Sequence, residues 1–325
     1  MKLAKRERPM PNDKAECCPR RRRMVELLNR MSPLEGYNLT TLPDVRFLRS
    51  NRPLRQVPVL YDPGIVIVCQ GQKRGYWGNK TYVYDAQHYL AVSIPVPFTM
   101  ETDASPEEPL LAIYLHLDIP MAAELLMEIE SQAMPSPVKP CGMIASPMTP
   151  AMADTVARFV EIIASSEDAP ILGRSMVREI YFRVLQGPQG AAIRAALGTN
   201  TPFGRIRHAI WRIHTSYADR ITVEQLAHEA HMSAPTFYAH FKAATETSPM
   251  QYVKMVRLHQ ARLLMFRDDM AVAAAAAAVG YESASQFSRE FKRLFGRSPV
   301  AEVAWMRSSF ELPPRTSPSL YVASH

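Results

Sequence analysis

Gly280-Tyr-Glu-Ser-Ala-Ser-Gln-Phe-Ser-Arg-Glu-Phe-Lys-Arg-Leu-Phe-Gly-Arg-Ser-Pro299 decides the fold of this chain, because a fainter copy of it lies upstream. Ser283 matches Ser233, Phe287 matches Phe237, Phe291-Lys292 matches Phe241-Lys242, and Ser298-Pro299 matches Ser248-Pro249. After a one-residue gap the match continues backwards, Val279 to Ala230, Ala276 to Ala227 and Val272 to Val223. Residues 222–306 are therefore an internal repeat.

Each copy predicts helix, tight turn, helix. In the first, Thr222 and Gln225 form a capping box, and Val223, Leu226, Ala227 and Ala230 form an apolar face. His231-Met232 makes the turn, and Ser233 caps a second helix with Phe237 and Phe241 on its buried stripe. In the second copy Asp269 is the expected cap and Gly280 ends the first helix. Ser283 with Gln286 then gives another capping box, ahead of Phe287, Phe291 and Leu294. Ala227 and Ala276 are small where two helices must approach closely. This is a helix-turn-helix layout, with each second helix free to enter a DNA major groove. Ser248-Pro249 starts a helix running to about Arg267, a rod of ~27 Å. Such a rod holds two recognition helices about one DNA turn apart, ~34 Å. A protein-binding solenoid is the alternative, but two copies are fewer than the three or more that solenoids need.

Charge follows the same division. The chain has 325 residues and a net charge of +7. Residues 1–30 carry +6, residues 201–325 carry +5 and the middle carries −4. Basic ends around an acidic middle point to a polyanion, although Arg20-Arg21-Arg22-Arg23 by itself also reads as a solvated tail. The apolar run Ala271–Val279 is too short for the ~20 residues of a membrane span. No apolar segment follows the charged N-terminus, so secretion is not expected. Cys17, Cys18, Cys69 and Cys141 show neither zinc spacing nor a disulfide framework, and a reducing cytoplasm is the expected compartment.

Upstream of the repeat, residues 1–30 read as a flexible basic arm ending in a short helix from Arg23 to Arg30. Residues 42–118 read as strands: Val57–Tyr61, Gly64–Gln70, Thr81–Asp85, His88–Ile94, Phe98–Thr102 and Leu110–Asp118. Gly71, Gly75 and Gly78-Asn79 supply turns between them. Strands this closely spaced predict a small sandwich or barrel. Helical spacing then covers Met121–Glu130, Pro150–Ser165 and Ile171–Gln186, and 187–203 reads as a linker.

At these residues the chain resembles the AraC/XylS family of bacterial transcription regulators. The match covers roughly 203–306, and 280–299 looks like the family signature at near full strength. Leu60-Tyr-Asp-Pro63, Gln70-Gly-Gln-Lys73 and Tyr89-Leu-Ala-Val-Ser-Ile94 resemble the AraC-type N-terminal domain less specifically. The resemblance implies an α+β chain with a cupin-like β-barrel or sandwich, following helices, and an all-α C-terminal domain. That last domain holds two helix-turn-helix motifs joined by a long linker helix. The expected division is a flexible basic arm, 1–30; a cupin-like effector-binding and dimerisation domain, 31–200; a DNA-binding domain, 201–310, with motifs at 222–244 and 271–295; and a C-terminal tail, 311–325.

Carried over by position, Ala234, Pro235, Tyr238 and Ala239 in copy one, and Ala284, Ser285 and Arg289 in copy two, would read base edges. Lys242, Lys292 and Arg293 would meet phosphates. Two departures stand out. Ala239 replaces an arginine common in relatives, which removes a guanine reader. Ala275 replaces a branched aliphatic, leaving less volume to pack. Arg289 is the leading base reader unless Glu290 or Glu282 pairs with it. Aromatics of the strand region, Tyr61, Trp77, Tyr82, Tyr84, Tyr89 and Tyr114, are candidates for an effector pocket.

The expected function is a cytoplasmic, effector-responsive regulator, dimeric on promoter DNA, with contact to RNA polymerase and no membrane association. It is not expected to be an enzyme or to carry a cofactor. Three alternatives stay open. His88 and His116 are too few for a cupin metal enzyme, and His228, His231 and His240 read as structural. Cys17-Cys18 in its basic arm would suit redox or alkylation sensing. The helices at 150–186 could instead receive a protein partner.

Overall fold

The computed structural model describes residues 19–130, 139–198 and 201–309. Cys17, Cys18, the first part of the basic arm and the tail at 311–325 lie outside the described residues. The first described element is α1 (Pro19–Met31), which contains the helix expected at Arg23–Arg30 and begins four residues earlier. It buries Met24, Leu27 and Leu28, because an apolar face follows the arginine run at helical spacing.

Ten strands follow: β1 (Gly36–Leu39), β2 (Val45–Ser50), β3 (Leu54–Tyr61), β4 (Gly64–Gln70), β5 (Gln72–Trp77), β6 (Lys80–Asp85), β7 (His88–Val92), β8 (Val96–Asp103), β9 (Leu110–His116) and, later, β10 (Met143–Pro147). They form one antiparallel sheet in the order β1-β2-β9-β4-β7-β6-β5-β8-β3, with β10 added beside β7. The sheet curls into a half-barrel, and alternation gives it two buried faces. Val66 and Val68 of β4 and Ala112 and Tyr114 of β9 face inward. Ile65, Ile67 and Cys69, with Ile113 and Leu115, face outward. Gly75 was expected in a turn but sits inside β5, where a Cβ would lie 3.0 Å from the Phe98 ring.

The outer face is covered by α1 together with α2 (Ile119–Glu130), α3 (Pro150–Ile163) and α4 (Ala169–Gln186). Gly187 ends α4 as expected, but the linker then contains another helix, α5 (Gly190–Leu197). The rest is helical: α6 (Pro202–Ser216), α7 (Val223–Glu229), α8 (Ala234–Thr245), α9 (Pro249–Arg267), α10 (Val272–Ala278), α11 (Ala284–Phe295) and α12 (Pro299–Ser309).

The inner face of the half-barrel shares its core with the first helical module. One apolar cluster runs from Val59, Leu90 and Phe98 into Ile210, Phe237, Phe241 and Tyr252. The second module has a core of its own around Ala275, Phe287 and Phe291.

Candidate nucleic-acid interface

Local chemistry sets both modules. The Gln225 N–H donates to Thr222 Oγ1 at 3.2 Å, and the Thr222 N–H donates to Gln225 Oε1 at 3.0 Å, which completes the first capping box. In the second module Ser283 accepts from the Gln286 N–H at 3.3 Å, but the Gln286 side chain turns to Glu290, so the reciprocal half of that box is missing. Asp269 does not cap α10. It sits at φ 52°, and Ala271 occupies the cap position without a side-chain bond.

The turns of the two copies are equivalent. His231 and Gly280 occupy matching positions, and both are left-handed, at φ 52° and 82°. At Gly280 a Cβ would lie 2.4 Å from the Ala218 carbonyl oxygen, so glycine is required there by space as well as by φ. Phe237 and Phe241 pack with tilted rings, their centres 5.5 Å apart, inside the first module. Phe287, Phe291 and Phe295 continue at 5.5 and 4.5 Å inside the second. These buried stripes leave the opposite faces of α8 and α11 to solvent.

Those faces carry the expected contact residues. Pro235, Tyr238, Ala239 and Lys242 are exposed on α8, and Ala234 is half-buried at its start. Ala284, Ser285, Arg289, Lys292 and Arg293 are exposed on α11. Neither Glu282 nor Glu290 takes Arg289. Glu290 is held by Lys254 Nζ at 3.0 Å and by the Tyr281 hydroxyl at 2.8 Å, which keep its carboxyl below the usual range against the opposing effect of burial. Among the described residues Arg289 forms no ion pair.

Arg257, at the middle of α9, was not legible as a structural residue. Its guanidinium donates to Tyr217 O at 2.7 Å, Asp219 O at 2.8 Å and Gly280 O at 3.0 Å. It thereby ties the end of α6 to the turn of the second module. With 19 residues, α9 is about 28 Å long.

The half-barrel grips this rod. The Tyr252 hydroxyl donates to Pro95 O at 2.8 Å and lies 2.8 Å from His214 Nε2. Trp77 Nε1 donates to Thr245 O at 3.2 Å. Arg262 Nη1 reaches Pro58 O and Glu302 Oε1, each at 3.4 Å, with both charged side chains almost fully buried. Burial lowers Arg262 to about 10, which still leaves it charged at neutral pH, and burial pushes His214 down to about 3.

The aromatic candidates of the strand region do not all come together. Tyr61, Trp77 and Tyr84 lie in the inner cluster, and Tyr82 is half-buried beside Trp77. Tyr114 is there as well, whereas Tyr89 belongs to the outer face. Alternation along β7 is the reason, since Leu90 and Val92 take the inward positions. Beside the inner aromatics sits Lys73, whose ammonium lies 5.6 Å from the Tyr61 ring centre and which burial lowers to about 7. Its β5 neighbours Arg74 and Gly75 gave no sign in the sequence that this lysine points inward.

Cys69 is buried on the outer face, which pushes its thiol up to about 12. Among the described residues no group of three or more His, Cys, Asp or Glu is placed to hold a metal ion, and no helix is long and apolar enough to cross a membrane.

Residues 41–192 match the model of the AraC-type transcriptional regulator N-terminus, and residues 226–302 match a helix-turn-helix domain model. The HTH-type transcriptional regulator ExsA of Pseudomonas aeruginosa is 26% identical over 193 residues, which is 59% of this chain and 66% of that one. The RCS-specific HTH-type transcriptional activator RclR of Escherichia coli is 38% identical over 78 residues, 24% of this chain and 28% of that one. The chain thus spans just under two thirds of the one relative and about a quarter of the other. The crystal structure of unsaturated-fatty-acid-bound ToxT from Vibrio cholerae superposes with a TM-score of 0.55 at 10% identity, covering 86% of this chain and all of that one. At that identity the likeness is one of fold.

Proposed function

The chain belongs to the AraC/XylS family of transcription regulators, and from that premise we propose that it binds specific promoter sequences in double-stranded DNA under the control of a small-molecule effector. One observation carries the reading: α8 and α11 both present exposed faces on one braced domain, and among the described residues Arg289 on the second forms no ion pair.

The roles divide by chemistry. Arg289 reads a base edge, with Ala284 and Ser285 beside it. On α8, Tyr238 contributes a polar tip, while Ala234, Pro235 and Ala239 offer apolar contact to thymine methyl groups. Lys242, Lys292 and Arg293 meet phosphates and make binding salt-dependent. The protein acts in the cytoplasm as a homodimer and contacts RNA polymerase from the promoter.

The effector shifts the population of conformers able to engage DNA. The inner aromatics Tyr61, Trp77, Tyr82 and Tyr84 are one candidate site for it, and Lys73 favours an anionic group there. The fatty acid bound to ToxT supports small-molecule control in this fold. Selection of bound duplexes from a random oligonucleotide pool by the full chain tests the reading. Enrichment of a defined motif is expected, and an unenriched pool from folded protein overturns it.

A further inference from the structure

On the outer side of the half-barrel, away from the aromatics just described, lies a cavity of about 400 Å³ between α1, α3 and β4. Ligand clefts range from ~300 to ~1,000 Å³, so this one suits a small ligand. Ile67 and Cys69 form its floor. Met24 of α1 and Ala157 of α3 form buried walls, and exposed Ala153 stands at its edge. The depth is therefore apolar. Cys69 is part of that apolar lining and not a nucleophile, since its thiol stays protonated.

The rim is cationic. Arg20, Arg21 and Asp154 line it. Asp154 is already matched twice, accepting from Arg20 and from Arg158 Nε at 3.1 Å. Arg21 forms no ion pair among the described residues. Arg21 also lines a separate polar recess together with Asp85, Asp103 and Glu108. Asp103 is held by Arg55 and Arg74, and Asp85 by His88. In addition, the first turn of α1 contains a run of arginines and no acid, so positive side chains add to the positive end of the helix dipole. An anion at the rim relieves that repulsion.

We propose that this cavity binds an amphipathic carboxylate, with its hydrocarbon body along Ile67, Cys69, Met24 and Ala157 and its carboxylate on Arg21. Such a ligand ties α1 to α3 and to the back of the sheet. Its role as an effector rests on the regulator reading above, whereas the binding itself does not.

Isothermal titration of the full chain with decanoate and with decanol tests it. Decanoate is expected to bind at one equivalent, about threefold or more tighter than decanol, as a partly exposed ion pair allows. Ala153→Trp, at an exposed position that leaves the fold intact by circular dichroism, fills the edge of the cavity and weakens binding about tenfold or more through lost apolar burial. Arg21→Glu removes the preference for the acid. No saturable binding, equal affinity for acid and alcohol, or binding unchanged in Ala153→Trp overturns the proposal. A chain that binds decanoate but selects no duplex removes the regulator reading and leaves this site standing; the opposite result removes the site alone.

Discussion

Replacing Glu302 by alanine should release the grip of the half-barrel on α9. Arg262 and Glu302 are 1% and 2% exposed, and their closest atoms are 3.4 Å apart. The Arg262 guanidinium also stacks 4.5 Å from the Phe295 ring centre and reaches the Pro58 carbonyl across the domain boundary. Without Glu302 that charge is buried against a carbonyl, a ring face and His259 Nδ1, 3.3 Å from Nη2, with no anion among them. Arg297, the second partner of Glu302 at 3.2 Å, is half-exposed and can turn to water. Burial lowers Arg262 to about 10 and Glu302 works against that lowering, so the carboxylate is what supports the buried charge. Breaking a buried pair in this way costs about 3–5 kcal/mol.

Equilibrium urea denaturation, followed by tryptophan fluorescence and by circular dichroism, measures this. Buried Trp77 reports on the boundary, because its indole is bonded to Thr245 O. The wild-type transitions should coincide, since the two parts share a core. In Glu302→Ala the fluorescence transition should move first. The double variant Arg262→Met, Glu302→Leu removes both charges and should recover most of the loss. A shift below about 1 kcal/mol in Glu302→Ala, or a double variant as unstable as the single one, refutes the reasoning.

Three further outcomes are expected. Arg289→Ala should weaken specific DNA binding by about 1–3 kcal/mol and relax one position of the motif in a competition assay; equal loss on scrambled duplex makes Arg289 a phosphate contact. Stability should fall on acidification: burial holds His214 near 3 against about 6.5 when unfolded, so its contribution is complete above pH 6.5 and is lost as pH falls toward 3. That amounts to about 2 kcal/mol at pH 5 from His214, with buried His259 acting in the same direction, and denaturation midpoints across pH check it. Gly280→Ala should cost about 2 kcal/mol or more, because it adds a Cβ against the Ala218 carbonyl at a left-handed φ, and a lowered Tm with loss of DNA binding reports it.

The tandem modules were legible because their determinants are local. Serine and threonine caps, phenylalanines four apart and a turn residue in matching places specify each helix pair from within a short stretch. The exposed faces followed directly, since a buried stripe at helical spacing leaves only one opposite side. Strands with two apolar faces, β4 and β9, were equally plain as continuous runs. Harder to see were β2 and β5, where Arg46, Arg49, Lys73 and Arg74 interrupt the apolar pattern, and the short edge strand β1. Asp269 misled as a cap because the left-handed backbone there turns the chain before α10 begins.

By itself, then, the sequence determined two helix-turn-helix units, a rod between them and a β-rich domain before them, because each is written in periodicity and caps that act over a few residues. Only the tertiary structure decided that the first unit shares a core with the half-barrel, that α1 closes a cavity on the sheet's outer face, and that Arg257 and Arg262 brace the assembly. Besides Glu302 and His259, which hold Arg262, their partners are backbone carbonyls and a ring face distant in the chain. Every residue type offers a carbonyl, so no pattern of side chains marks in advance which one a buried cation will meet.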